Sequence, residues 1–210
     1  MPYPAAHRAQ VKKKIVDSAR RLFNRHGFDQ VSLKQIMSGA GLTHGGFYSY
    51  FQSKSDLYVE VLSCFFTDPE WENNWDGIEV DRTADNAASQ VVMAYLSRQH
   101  FEDVENSCPM VALPTDVTRC SKTTKLAFEN VFGAMVRLLE QSVTSHKRRH
   151  TTAQAVAALC VGGMVVARAM ADRTVADGLR EACMSVALDL GGWKTRTATK
   201  SRNAKRRRSR

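Results

Sequence analysis

Apolar side chains recur at steps of three and four along nearly the whole chain, and this period predicts one α-helix after another. Between Gln10 and His26 they fall at Ile15, Ala19, Leu22 and Phe23, with Lys12, Lys13, Lys14, Arg20, Arg21 and Arg25 elsewhere. Gly27 offers the left-handed residue that closes such a helix, and Phe28 can fold back on its last turn. Ser32 followed three positions later by Gln35 is a capping-box signature, opening a short helix through Leu33, Ile36 and Met37 that Gly39-Ala40-Gly41 breaks. Thr43 is the next N-cap, for a very short helix to about Tyr50, and Ser53 with Asp56 opens another through Leu57, Val61 and Leu62 toward Phe66.

The pattern stops from Asp68 to Val80, where Pro69, Trp71, Trp75 and Gly77 sit among acids. This predicts a long loop and a domain boundary. It resumes near Thr83 and runs through Val92, Tyr95, Leu96 and Gln99 toward Val104 as one helix. Cys108-Pro109 can start a short helix with Pro near its first position. Ser121 to His146, carrying Leu126, Val131, Met135, Leu138 and Leu139, reads as a long helix whose C-terminal dipole Lys147-Arg148-Arg149 would complement. No stretch alternates with a period of two, so the predicted class is all-α.

The last two helices differ from the others. Thr152 to Met170 holds one charge, Arg168, and its Val156, Leu159, Gly163, Val166 and Met170 face is matched by Ala158, Val161, Val165 and Ala169 opposite. Thr174 and Asp177 are expected to cap the final helix, where Val175, Leu179, Ala182, Val186 and Leu190 form one stripe before Gly191-Gly192. A helix apolar all round must be covered on all sides. Burial within one chain would do this, and so would a four-helix contact with a second copy. Ala155, Ala158, Gly162 and Gly163 would permit close approach.

Charge sharpens the picture. The net charge is +9 over 210 residues, but its distribution is uneven. Residues 193–210 carry nine basic and no acidic groups, residues 1–58 nine basic and three acidic, and residues 59–192 twelve basic and eighteen acidic. Basic ends on a mildly acidic body suggest that one end meets a polyanion, nucleic acid before membrane phosphate. The tail has no apolar residue beyond Ala198 and Ala204 after Trp193, so a disordered basic extension is expected. With 43% hydrophobic residues, the chain can bury a sizeable core. No uninterrupted apolar run approaches the ~20 residues that span a bilayer, and no secretory pattern follows the basic N-terminus, so a cytoplasmic protein without a membrane partner is expected. Cys64, Cys108, Cys120, Cys160 and Cys183 are odd in number and contain no C-x-x-C pair, which fits reduced thiols better than zinc or disulfides. No metal or cofactor is expected.

A helix, then two short helices joined by a four-residue turn containing Gly, is the helix-turn-helix plan, with Leu22, Phe23, Leu33, Ile36, Ala40, Leu42 and Phe47 as its small core. Gly27-Phe28, then Val31 to Ile36, then Ala40-Gly41-Leu42-Thr43-His44-Gly45-Gly46-Phe47-Tyr48-Ser49-Tyr50-Phe51-Gln52-Ser53-Lys54-Ser55-Asp56-Leu57 resembles the DNA-binding domain of TetR/AcrR-type transcriptional regulators. The Tyr-x-x-Phe-x-x-Lys spacing is the most specific part. Gln35, where an acid is usual, and Met37, where Ala is usual, depart from the pattern. A weaker likeness to the C-terminal domains of one subfamily runs through Tyr95-Leu96-Ser97, His100, Cys108-Pro109, Ala112-Leu113, Asp116, Arg119, Gly162-Gly163 and Ala167-Arg168-Ala169.

The resemblance implies a DNA-binding domain over residues 8–66, a helical effector-binding and dimerisation domain over 81–192 and a tail over 193–210. It implies a homodimeric repressor, not an enzyme, that a small molecule releases from a pseudo-palindromic double-stranded operator. Thr43, His44, Gly45 and Gly46 occupy the end of the recognition helix that would enter the groove. Thr43 and His44 offer donors and acceptors, and the two glycines admit backbone. Tyr48 and Tyr50 suit phosphate oxygens, and Tyr48 also a thymine methyl. Ser32, Lys34 and Lys54 sit at helix starts, where cation and dipole favour phosphate. Phe47 and Phe51 are assigned to the core.

For the effector, Met93, Tyr95, His100, Cys108, Met110, Phe128, Phe132 and Met135 form an apolar-aromatic set with a few polar tips. The expected dimer contact is Val156, Leu159, Gly163, Val166, Met170, Leu179 and Val186. Two alternatives keep the DNA-binding unit. Cys108, at a helix start that would lower its pKa and with His100 nearby in sequence, could sense electrophiles or oxidants. An architectural binder without effector would use the basic tail. An enzyme built on Cys108 and His100 lacks any accompanying triad, metal or phosphate-loop signature.

Overall fold

A computed structural model describes residues 5–64, 80–81, 83–143 and 146–193, and every regular element among them is helical. The N-terminal helix-turn-helix unit comprises α1 (Ala5–His26), α2 (Leu33–Gly39), a 3₁₀ segment (His44–Ser49) and α3 (Lys54–Cys64). The C-terminal helical bundle comprises α4 (Ala87–Tyr95), α5 (Arg98–Glu102), α6 (Pro109–Ala112), α7 (Pro114–Thr118), α8 (Lys122–Glu140), a 3₁₀ turn (His146–Arg148), α9 (Arg149–Arg168) and α10 (Arg173–Gly191).

Two apolar clusters hold these helices. The first gathers Ile15, Ala19, Phe23, Ile36, Met37, Phe47, Leu57, Tyr58 and Leu62, and takes in Leu113, Val117 and Ala127 from α7, α8 and the turn before them. The second joins α4, α6, α8, α9 and α10 around Val92, Leu96, Met110, Met135, Val156, Cys160 and Met164. Each fully buried Leu, Ile, Met or Phe contributes about 1.5–3 kcal/mol relative to leaving it exposed. The first cluster therefore ties the N-terminal helix-turn-helix unit to the body.

Several boundaries differ from expectation, each for a local reason. The helix expected over 83–104 is two: Ser97 turns extended (φ −66°, ψ 160°) and its hydroxyl accepts from the His100 amide, capping α5. Arg180 of α10 donates to the freed Leu96 carbonyl at 2.6 Å, which stabilises the break. The helix expected from Ser121 to His146 ends at Glu140, and Ser121 is its N-cap, its hydroxyl accepting from the Thr124 amide. Lys147-Arg148-Arg149 consequently lead into α9 instead of closing α8. Asp172, rather than Thr174 or Asp177, caps α10 through the amides of Thr174 and Val175; Asp177 pairs with Arg180. Gly192, at φ 74°, ends α10. Trp193, assigned to the tail, packs on the second cluster and donates its indole N–H to the Ser142 carbonyl at 2.6 Å. The rest of the basic tail lies outside the described residues.

By length and mean hydropathy α9 is long and apolar enough to cross a membrane, unlike the expectation from uninterrupted runs. Here its Ala153, Val156, Ala157, Cys160, Gly163, Met164 and Ala167 are buried against the bundle, the pattern of a core helix. At Gly163 a Cβ would lie 2.8 Å from Cys183 Sγ, so the close crossing of α9 and α10 depends on that glycine.

Candidate nucleic-acid interface

The head presents a short exposed segment on a rigid support. Ser32 caps α2 with the full capping box: its hydroxyl accepts from the Gln35 amide at 3.3 Å, and Gln35 Oε1 accepts from the Ser32 amide at 2.8 Å. Gln35, the departure noted above, thus serves as the second half of the box. At the other end Ala40 is the C-cap and Gly41 sits at φ 72°. The Leu42 amide donates to the Met37 carbonyl at 2.8 Å and the Gly41 amide to the Ser38 carbonyl at 3.0 Å, a Schellman closure. That closure is the turn of the helix-turn-helix, and it needs the left-handed residue at Gly41.

The segment His44–Ser49 is 3₁₀, tighter than the short α-helix expected. Phe47 is its anchor, fully buried and edge-on to Tyr48 at 5.3 Å between ring centres. Phe51 is buried beside it, so both phenylalanines occupy the core as assigned. Around this anchor Thr43, His44, Gly45 and Tyr48 are exposed, Tyr48 to 64%. Thr43 has the extended backbone of an N-cap, but its side chain makes no capping bond, contrary to expectation. Its hydroxyl therefore has no duty inside the helix. A Cβ built at Gly45 meets nothing within 4 Å, and one at Gly46 only Met37 Cε at 3.6 Å. Bare backbone faces outward at Gly45.

Two residues the sequence reading passed over brace this segment. Arg8 donates to the Ser49 carbonyl at 2.8 Å and stands 5.9 Å from the Tyr50 ring centre, which leaves Tyr50 half-buried. Lys12 lies over Phe51 and pairs with Glu60 at 2.7 Å. Nothing local could reveal them, because their partners lie some forty residues away in sequence.

The other predicted contacts have mixed positions. Lys34 is exposed on α2. The Ser32 hydroxyl is bonded to Gln35. Ser53 and Asp56 cap the start of α3 as expected, through the Asp56 and Gln52 amides. Lys54 is half-buried, with its ammonium 4.4 Å from the Phe28 ring centre. Burial lowers its pKa, while Asp29 and Asp116 pull it back up, so acids of the protein already balance part of its charge.

In the body, Tyr95, His100, Cys108, Met110 and Met135 come together in the second cluster, with Phe128 and Phe132 at its edge. Met93 is 43% exposed, on the outer side of α4, and does not join them. His100 is a satisfied core histidine. Its Nδ1 lies 2.6 Å from the Tyr95 carbonyl, and its Nε2 accepts the Cys108 amide at 3.2 Å. This assigns the neutral Nδ1–H tautomer, and burial pushes the imidazole pKa down to about 3. The expected lowering at Cys108 is reversed: complete burial pushes its thiol up to about 12, despite a hydrogen bond to Tyr95. A four-residue α6 has too little dipole to compensate.

On α9 and α10 the expected contact residues separate. Val156 and Gly163 face the chain's own core, and this corrects their assignment to an outer contact. Leu159 and Leu179 are half-buried. Val166, Met170 and Val186 are exposed, and Val165, Val175 and Leu190 join them. These six are among ten large apolar side chains exposed in the described residues, so solvent-facing apolar surface concentrates on one helix pair.

Residues 15–61 match the profile of the tetR family of bacterial regulatory proteins. The regulator AcrR of Shigella flexneri is 40% identical over 52 residues, 25% of this chain and 24% of its own length. The chain spans about a quarter of the length of the curated relatives it matches first, all HTH-type transcriptional regulators. Among solved structures, reduced E. coli NemR superposes with a TM-score of 0.68 at 17% identity, over 86% of this chain and 96% of that one. RolR in complex with resorcinol superposes at 0.52 and 18% identity, over 92% and 97%. The structural likeness shows a shared fold across both parts of the molecule.

Proposed function

From an N-terminal domain that belongs to the tetR family of bacterial regulators, we propose that the protein is a sequence-specific, DNA-binding transcriptional repressor. It acts in the cytoplasm as a homodimer that a small molecule releases from its operator. The observation that carries this reading is the exposed Thr43–Tyr48 stretch, held by a buried Phe47 inside the family-matched segment. Residues 8–66 would read DNA and residues 81–192 would bind effector and partner. Thr43, His44 and the Gly45 backbone reach base edges, while Tyr48, Tyr50, Lys34, Ser32 and Lys54 serve phosphates.

The dimer reading rests on the exposed apolar side chains of α9 and α10, beside the small Ala155, Ala158, Gly162, Gly178 and Ala182. In such a dimer the two recognition segments would have to stand about 34 Å apart, one turn of duplex, to meet adjacent half-sites. The effector reading rests on the buried aromatic set around Tyr95 and Met135, and the resorcinol complex of RolR supports it as a fold precedent. A ligand that favours another head spacing shifts the population away from the DNA-competent state.

The test is selection of duplexes from a randomised pool, followed by affinity for the selected and a random sequence at several salt concentrations. Specific binding with a two-half-site footprint supports the reading; equal affinity for both duplexes refutes it. Sedimentation should give a dimer for the wild type and a monomer for Val186→Glu. A single-chain mass for the wild type refutes the dimer.

A further inference from the structure

The loop between α5 and α6 is gripped from both sides. From the head, Asn24 of α1 donates its amide to the carbonyls of Ser107 at 2.8 Å and Glu105 at 3.1 Å, and Arg20 donates to the Asn106 carbonyl at 3.1 Å. Both side chains are buried there. From the body, Arg168, the last residue of α9, spreads its guanidinium over the end of α5 and the loop that follows it, reaching the loop at Ser107 and at the Asp103 carbonyl. It donates to the carbonyls of His100 at 2.5 Å and Phe101 at 3.3 Å, and to Ser107 Oγ at 2.9 Å.

This use of an arginine is costly without a purpose. Burial pulls the Arg168 pKa below its ordinary value, against the opposing field of nearby Asp103, and its guanidinium donates to carbonyl and hydroxyl oxygens. A guanidinium supplies five donors in a fixed plane, which suits the acceptors of the α5 end and of the loop after it at once. Ser107 is the point where both grips meet: its carbonyl takes Asn24 and its hydroxyl takes Arg168. Arg168 lies beside the exposed Val165 and Val166 of α9 and the exposed Ala169 that caps it. Arg168 therefore joins the outer end of α9 to Ser107, the residue on which Asn24 of α1 is seated.

We propose that Arg168 is a positioning residue that sets the orientation of the DNA-binding head by clamping the 103–107 loop on which Arg20 and Asn24 of α1 are seated. This rests on the DNA-binding, dimeric reading above. With the clamp intact, movement at α9 is delivered to α1 through fixed hydrogen bonds. Without it the two heads are individually intact but no longer held at one spacing.

The test uses full-length protein and two probes: a duplex selected by the wild type, with versions whose half-sites are moved by one base pair, and a random-sequence duplex. Arg168→Met should bind the selected duplex at least tenfold more weakly, bind random DNA within twofold of wild type, and lose its preference among the spacings. Asn24→Ala, which releases the same loop from the head side without touching α9, should reproduce this pattern, and the double variant should be no weaker than the single ones. A merely structural role would lower the melting temperature and weaken both kinds of DNA binding together. Wild-type spacing preference in Asn24→Ala or Arg168→Met overturns the proposal, as does parallel loss on both duplexes. A wild type with no preferred duplex removes the premise, and the proposal with it.

Discussion

Gly45→Ala separates the needs of the fold from those of the interface. Gly45 is exposed, its φ is not positive, and a Cβ there meets nothing within 4 Å. The free protein therefore has no steric reason for glycine. Alanine lowers the entropy of the unfolded chain and should stabilise by about 0.4–1 kcal/mol. For a chain of this size that raises the melting temperature by roughly 1–4 °C. DNA binding should respond in the opposite sense. If the Gly45 backbone closes on the duplex, a methyl group intrudes at the contact and displaces a charge-assisted hydrogen bond worth about 1.5–3 kcal/mol. The selected duplex should then bind at least tenfold more weakly. Fluorescence anisotropy at fixed salt and differential scanning calorimetry give both numbers from one preparation. Gly41→Ala is the control in the other direction: its φ of 72° is strained for alanine, and it should lose about 1 kcal/mol of stability. A Gly45→Ala protein that is more stable and binds DNA as well as wild type would refute the backbone-approach argument.

The remaining predictions concern charge, readout and burial. Lys34→Ala should reduce the salt slope of DNA binding by about one unit at unchanged stability. Lys54→Ala should reduce it by less than one and lower stability, because Lys54 packs on Phe28 between Asp29 and Asp116. The reverse ranking would show that the two lysines are misassigned. His44→Ala should change which sequence is selected; an equal loss on every duplex would count against base readout. Because burial holds His100 near pKa 3 against an ordinary 6.5, the unfolded chain takes up a proton there that the folded chain refuses. Its contribution is complete above about pH 6.5 and is lost toward pH 3, at up to about 1.4 kcal/mol per pH unit. Urea unfolding at pH 6.5 and 5 should lose about 2 kcal/mol more in the wild type than in His100→Gln; equal losses would defeat the assignment. Cys108, buried with its thiol near pKa 12, should be alkylated only at the rate of unfolding, behind the half-buried Cys64, Cys120 and Cys183. Rapid modification in the folded state would revive the thiol-sensor alternative.

The helical class, the helix-turn-helix and the short exposed segment around Phe47 were all legible in the sequence, because their determinants are local. Ser32 and Gln35 cap a helix within four residues, Gly27 and Gly41 close helices at positive φ, and the three-and-four period marks which side of each helix is apolar. Locality also marks the limit. The period shows that α9 is apolar on both sides, but not which side meets its own bundle; packing on α10 and α8 turns Val156 and Gly163 inward and leaves Val166 outside. A helix start suggests a lowered thiol pKa at Cys108, yet the desolvation that overrides it comes from helices distant in sequence. The break at Leu96-Ser97, the bracing of Ser49 by Arg8 and the Arg168 grip on the 103–107 loop join residues 41 to 84 positions apart. Backbone conformation follows from neighbours along the chain, whereas the burial and pairing of a polar side chain depend on what folding brings against it.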